Sequence, residues 1–166
     1  YNNAEAGVLE DIDFVAEPGK TTAIVGSTGC GKSTLVNLVP RLYDVTEGSI
    51  ELDGVDIREL SMSDLRKQIG YVPQKGVLFS GTIASNLKFG REDATDKDIE
   101  EAARIAQATE FIEEKREKYN SHIAQGGTNV SGGQKQRLSI ARAIAKNPKI
   151  YIFLLRYVYS YYFSHA

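Results

Sequence analysis

An α/β fold is predicted by three features of the sequence. Residues 21–25, Thr-Thr-Ala-Ile-Val, form a β-branched run that empties through a glycine-rich loop into a helical pattern. Asp53-Gly54 separates two short apolar segments, a strong hairpin signal. A mostly helical stretch over residues 75–147 then precedes a last apolar run at residues 150–153. The expected architecture is a core sheet flanked by helices, an antiparallel β portion from the early strands, and a helical insert.

Each element has its local reason. Apolar residues at 8, 12 and 14 alternate with polar ones, the period of a half-buried strand, before Glu17-Pro18-Gly19-Lys20 turns the chain. Residues 21–25 read as a buried strand. The helix after the glycine-rich loop begins near Lys32, carries Leu35, Leu38 and Val39 at helical spacing, and is ended or bent by Pro40. Ile50 and Leu52, then Val55 and Ile57, flank the Asp53-Gly54 turn. Ser61 caps a short helix through Gln68, and residues 69–72 form another buried strand running into Pro73-Gln74. A helix of a turn or two runs from Thr82 through Phe89. A longer one runs from Thr95 to Ala108, with Thr95 and Asp98 approximating a capping box and Ile99, Ala102, Ala103 and Ala106 as one apolar stripe. The helix from Gln134 to Lys146 places Leu138, Ala141 and Ala145 on one face, and Pro148 stops it.

Composition bounds the function. At 166 residues and 42% hydrophobic, the chain has one domain's length and material for a core. Lys plus Arg number 20 against 22 for Asp plus Glu, a net charge of −2, so no basic field for nucleic acid is present. One cysteine permits no internal disulfide and fits a reducing compartment. No apolar run is long enough to span a membrane, so the piece itself is expected to be soluble. The chain opens on Tyr1 and its one methionine is Met62, which reads as a piece of a longer product.

The chemistry begins at Gly26-Ser27-Thr28-Gly29-Cys30-Gly31-Lys32-Ser33, followed by Thr34. This fills every fixed position of the phosphate-binding loop, with a strand before it and a helix after. Its glycines let backbone N–H groups curl toward a phosphate, Lys32 reaches the outer phosphates, and the Ser33 hydroxyl can ligate Mg²⁺. Cys30 has two readings, a small filler or a thiol made reactive by Lys32 and the helix start.

A second constellation, Val130-Ser131-Gly132-Gly133-Gln134-Lys135-Gln136-Arg137-Leu138-Ser139, resembles the signature segment of ATP-binding cassette (ABC) ATPases. Tyr71-Val72-Pro73-Gln74 resembles that family's glutamine loop, and Tyr1 its adenine-stacking aromatic. Residues 78–95, from Leu-Phe-Ser-Gly-Thr-Ile to Gly-Arg-Glu-Asp-Ala-Thr, resemble the nucleotide-binding domains of multidrug and lipid exporters. The resemblance covers residues 1–153. It implies a phosphate-loop NTPase core sheet with a helical signature subdomain, ATP and Mg²⁺ as cofactors, and Gln74 near Mg²⁺ or the attacking water. It also implies a second nucleotide-binding domain, identical or different, whose nucleotide Ser131, Gly132, Gly133 and Gln134 contact in trans. A transmembrane domain is the other implied partner, which places the assembly at the cytoplasmic face of a membrane. ATP binding would close the dimer and hydrolysis reopen it. Leu78 and Phe79 are either core or the lining of the groove for that membrane domain. Lys135, Gln136, Arg137, Arg142 and Lys146 read as a solvated helix face, with a partner surface as the alternative, and His122 and His165 carry no assigned role. Chromosome-maintenance ATPases share both motifs but need a long coiled coil between them, for which residues 75–130 leave no room.

The pattern breaks after residue 153. A phosphate-loop ATPase needs an acidic residue at the end of a strand for Mg²⁺, and this family an adjacent carboxylate to polarise water. Leu154 and Leu155 hold those positions, and no Asp or Glu follows before Ala166. The family's later loop and switch histidine have no counterpart. The expectation is therefore ATP binding that is at most weak, without turnover. Residues 154–166, rich in tyrosine, read as an atypical tail from a frame error, pseudogene lesion or truncated reading frame, with a selected non-hydrolytic domain as the alternative and a membrane-inserting tail as a third reading.

Overall fold

The computed structural model describes residues 9–154. Tyr1, Val8, Leu155 and the tail with His165 lie outside the described residues. Two compact units divide the chain between Arg66 and Lys67.

In the first unit, the glycine-rich loop leads into helix α1 (Lys32–Leu38). The hairpin forms as its turn dictates: β1 (Glu51–Leu52) pairs antiparallel with β2 (Val55–Asp56). Asp53 and Gly54 have φ of 53° and 79°, the two positive values that a type I′ turn demands. Arg58 braces the hairpin from the side, gripping the Asp56 carboxylate at 2.6 Å and donating to the Gly48 carbonyl at 3.0 Å. Ser61 Oγ accepts the Asp64 N–H at 3.1 Å and so caps α2 (Met62–Lys67).

Two expected strands are absent. Neither residues 9–15 nor residues 21–25 form strand, and Phe14, Val15, Ile24 and Val25 are exposed. A strand exists only as a member of a ladder, and neither run has a ladder partner among the described residues. β-branched composition favours extended backbone but does not supply the partner.

The second unit holds the core. β3 (Ile69–Val72) pairs in parallel with β6 (Ile150–Phe153), from Ile69 opposite Ile150 to Val72 opposite Phe153. A Cβ at Gly70 would stand 2.7 Å from Pro148 and 3.2 Å from the Ala143 carbonyl, so glycine is required for this close approach. β4 (Gly81–Thr82) pairs antiparallel with β5 (His122–Ile123). Between them run α3 (Ile83–Lys88), α4 (Asp96–Ile105) and α5 (Thr109–Glu113), and after them α6 (Gly132–Ala145). Leu87, Ile99, Ile112, Ile123 and Leu138 are fully enclosed in one apolar cluster. The predicted α4 stripe of Ile99, Ala102, Ala103 and Ala106 is buried in it. Leu78 belongs to this core, whereas Phe79 is 42% exposed.

Caps fix the helix starts. Thr82, Thr95 and Ser131 each form a reciprocal capping box, with Ser85, Asp98 and Gln134 respectively, each worth about 1 kcal/mol. Helix ends depart from expectation for a backbone reason. α4 stops at Ile105 rather than Ala108, because Gln107 turns left-handed at φ 55° before α5 begins. α6 starts at Gly132, two residues before the expected Gln134, because Ser131 rather than a later residue is the cap. It ends at Ala145, and Asn147 at φ 52° breaks the chain before Pro148 can.

Candidate functional site

The phosphate loop lies wholly within the first unit. Gly29 and Gly31 have φ of 86° and 87°, and a Cβ at Gly29 would meet nothing within 4 Å. The loop therefore bends at glycines and stays open on one side, with Ser27, Thr28, Gly29 and Cys30 exposed. The Lys32 ammonium folds back across it, donating to the carbonyls of Gly26 at 2.7 Å and Ser27 at 2.6 Å. Its Nζ is also 3.4 Å from Cys30 Sγ. Ser33 is exposed at the start of α1 and Thr34 half-buried beside it. A cation, two hydroxyls and glycine-freed amides are the donor set that a polyphosphate needs.

The remaining predicted groups belong to the second unit. Gln74 is exposed just past the end of β3. Ser131, Gly132 and Gly133 are exposed at the N-terminus of α6, and a Cβ on either glycine would meet nothing within 4 Å. Ser131 Oγ accepts the Gln134 N–H at 3.2 Å, and Gln134 Oε1 accepts the Ser131 N–H at 3.0 Å. Asn129 sets the entry to this turn, accepting the Ala124 N–H at 2.9 Å and donating to the His122 carbonyl at 2.8 Å. Sequence reading missed Asn129, since a lone Asn in a loop signals only a turn.

The expectation of a solvated face on α6 is corrected for Arg142 and Lys146. Lys146 Nζ donates to the Ile69 carbonyl at 2.8 Å, and burial lowers its pKa. Arg142 donates to the Val77 carbonyl, the Asn86 carbonyl and Asn86 Oδ1, and burial pulls its guanidinium down to about 10. A charge on the predicted polar face is thus turned against backbone carbonyls, which helical periodicity does not reveal. Leu154 continues β6, its N–H donating to the Val72 carbonyl at 3.0 Å, and carries no acid at the strand end.

The fold is a mixed α/β one, with a glycine-rich loop leading into α1 and a capped Ser-Gly-Gly turn opening α6. Residues 9–153 match the ABC transporter family. The chain belongs to that family. It is 51% identical over 156 residues to an uncharacterised ABC transporter ATP-binding protein of Mycobacterium bovis, covering 92% of this chain and 26% of the relative. A putative multidrug export ATP-binding/permease protein of Staphylococcus aureus is 49% identical over 152 residues, with the same coverage. A bacterial Atm1-family ABC exporter solved with ATP bound superposes with a TM-score of 0.72 at 41% identity, covering 75% of this chain and 22% of that one. The chain thus spans about a quarter of the length of its curated relatives. No helix among the described residues is long and apolar enough to cross a membrane.

Proposed function

We propose that this chain is the ATP-binding domain of an ABC exporter, and that it binds ATP without turning it over. The observation that carries the reading is the open loop of residues 26–34 with the Lys32 ammonium laid across its carbonyls. Lys32 there exchanges two neutral acceptors for phosphate oxygens, a stronger charge-assisted contact. Backbone N–H groups from Gly29 to Ser33 and the side chains of Ser27, Thr28 and Thr34 hold the rest of the phosphate chain. Cys30 serves as the compact residue against Gly26, where a Cβ would stand 2.5 Å from its Sγ. Tyr1 is the proposed stacking partner for the adenine.

The residues fit Mg²⁺ less fully than they fit phosphate. Ser33 in the first unit offers one neutral oxygen, and Mg²⁺ kept by one or two protein oxygens takes its other ligands from phosphates and water; Gln74 is a proposed ligand by family resemblance alone. Bound there, the ion would screen phosphate charge. The position after β6 that should add a carboxylate is Leu154. Loss of a general base alone typically costs about 10²–10⁴ in rate. The second reading, a non-catalytic nucleotide-binding remnant, rests on this same residue.

Ser131, Gly132, Gly133 and Gln134 are proposed to face the nucleotide of a second ABC nucleotide-binding domain, since exposed amides at the start of a 14-residue helix favour an anion. Coupling to transmembrane export, a membrane-domain partner and a place at the cytoplasmic membrane face are proposed with it; nucleic acid is not a partner. Nucleotide binding by the purified chain and by Lys32→Ala, with phosphate release measured alongside, tests the proposal. Saturable binding that Lys32→Ala weakens about tenfold or more, without phosphate release, supports it.

A further inference from the structure

Arg142 projects from α6 with no carboxylate in ion-pair range among the described residues. Its fork is divided between the stretch at Val77 and Asn86 of α3. Nη1 donates to the Val77 carbonyl at 2.8 Å, Nε to the Asn86 carbonyl at 3.0 Å, and Nη2 to Asn86 Oδ1 at 2.7 Å. The guanidinium carbon stands 4.9 Å from the Phe79 ring centre and 5.8 Å from that of Phe89, and those rings stack at 4.2 Å. Asn86, 1% exposed, closes the circuit by accepting the Phe79 N–H and donating to the Phe79 carbonyl, both at 2.9 Å.

A second contact, independent of Arg142, fastens the same stretch to the same helix. A Cβ on Gly76 would lie 2.8 Å from the Lys135 carbonyl oxygen and 2.8 Å from Ser139 Oγ. Residues 76–79 therefore run along the backbone of α6, pinned at Lys135 and again at Arg142. An aliphatic side chain at 142 would cover the two rings without desolvating a charge. What the guanidinium adds is direction, through a rigid fork of donors.

We infer that Arg142 is a positioning residue that latches the stretch following Gln74 to α6, so that the Gln74 loop and the Ser131 end of the helix move as one body. The functional meaning rests on the reading above, in which Gln74 and Ser131 both serve nucleotide. A displacement of either end is then carried along α6 rather than absorbed in the loop.

Residual dipolar couplings of the full chain, recorded without nucleotide, test the latch apart from the ATP reading. In the wild type, amides of residues 75–79 fit the alignment tensor of α6. In Arg142→Lys, which keeps the charge but not the fork, those couplings fall at least twofold while α4 and α6 keep theirs. Unchanged couplings at 75–79 in Arg142→Lys overturn the inference, as does a uniform loss across the unit, which marks a merely structural role. Should that variant not fold, the wild type decides alone: Arg142 Nε–H exchanges at least tenfold more slowly than the Nε–H of the exposed Arg137, and equal rates overturn the latch. Failure of ATP titration with these couplings intact would remove the nucleotide reading and leave the latch standing.

Discussion

Replacing Asn86 with alanine removes four hydrogen bonds at once. Asn86 Oδ1 accepts the Phe79 N–H at 2.9 Å and Arg142 Nη2 at 2.7 Å, and Nδ2 donates to the carbonyls of Phe79 and Thr82, each at 2.9 Å. No water replaces these readily, because the side chain is 1% exposed. A typical net hydrogen bond contributes about 1 kcal/mol, and a buried group left unpaired costs about 1–3 kcal/mol. Phe79 lies partly at the surface and Arg142 keeps two other acceptors, so the lower figure applies to each, about 4 kcal/mol in all. That is a large share of the ~5–15 kcal/mol by which a domain is stable. Urea unfolding followed by circular dichroism reads it as a lower midpoint with an unchanged m-value. A loss below about 1 kcal/mol would refute the claim that Asn86 anchors Phe79.

Three further outcomes follow from the geometry. Gly76→Ala forces a Cβ against the Lys135 carbonyl and is expected to cost about 1–3 kcal/mol of overpacking, read in the same urea experiment. Leu138→Ala, at a side chain with 0% exposure, is expected to cost about 2–5 kcal/mol, and a cost no larger than an exposed substitution would remove it from the core. The Thr95 N–H and hydroxyl, then the Arg91 guanidinium, hold Asp98 below the usual carboxylate range. Its contribution is therefore fully present above the unfolded value near ~4 and is lost as pH falls through the lower folded value. Acid titration of wild type against Asp98→Asn checks this, and identical acid transitions would contradict it.

What the sequence announced was chiefly local. Asp53-Gly54 specified its hairpin, and Ser61 and Thr95 their helix starts, because turns and caps are satisfied by residues two or three positions away. β6 and β3 were legible as apolar runs. Residues 21–25 carried the same signal yet form no strand, since pairing depends on a partner that composition cannot name. The glycine-rich turn of residues 26–31 and the helix it feeds were readable from residue types alone; the phosphate-binding role of that loop is the proposal made above. Arg142 was not, since a charge on the polar face of a helix looks the same whether it meets water or two carbonyls. Gly76 was equally silent, its meaning lying in the helix that passes 59 residues later at Lys135.

The measurement that bears most directly on the account is calorimetric titration of MgATP into the chain and into Lys32→Ala, with released phosphate assayed in the same samples. Saturable binding weakened about tenfold or more in Lys32→Ala is expected, as loss of charge-assisted bonds of about 1.5–3 kcal/mol requires, with no phosphate release above background. Equal affinity in both proteins would contradict the assignment of the loop, and turnover abolished by Lys32→Ala would contradict the role given to Leu154.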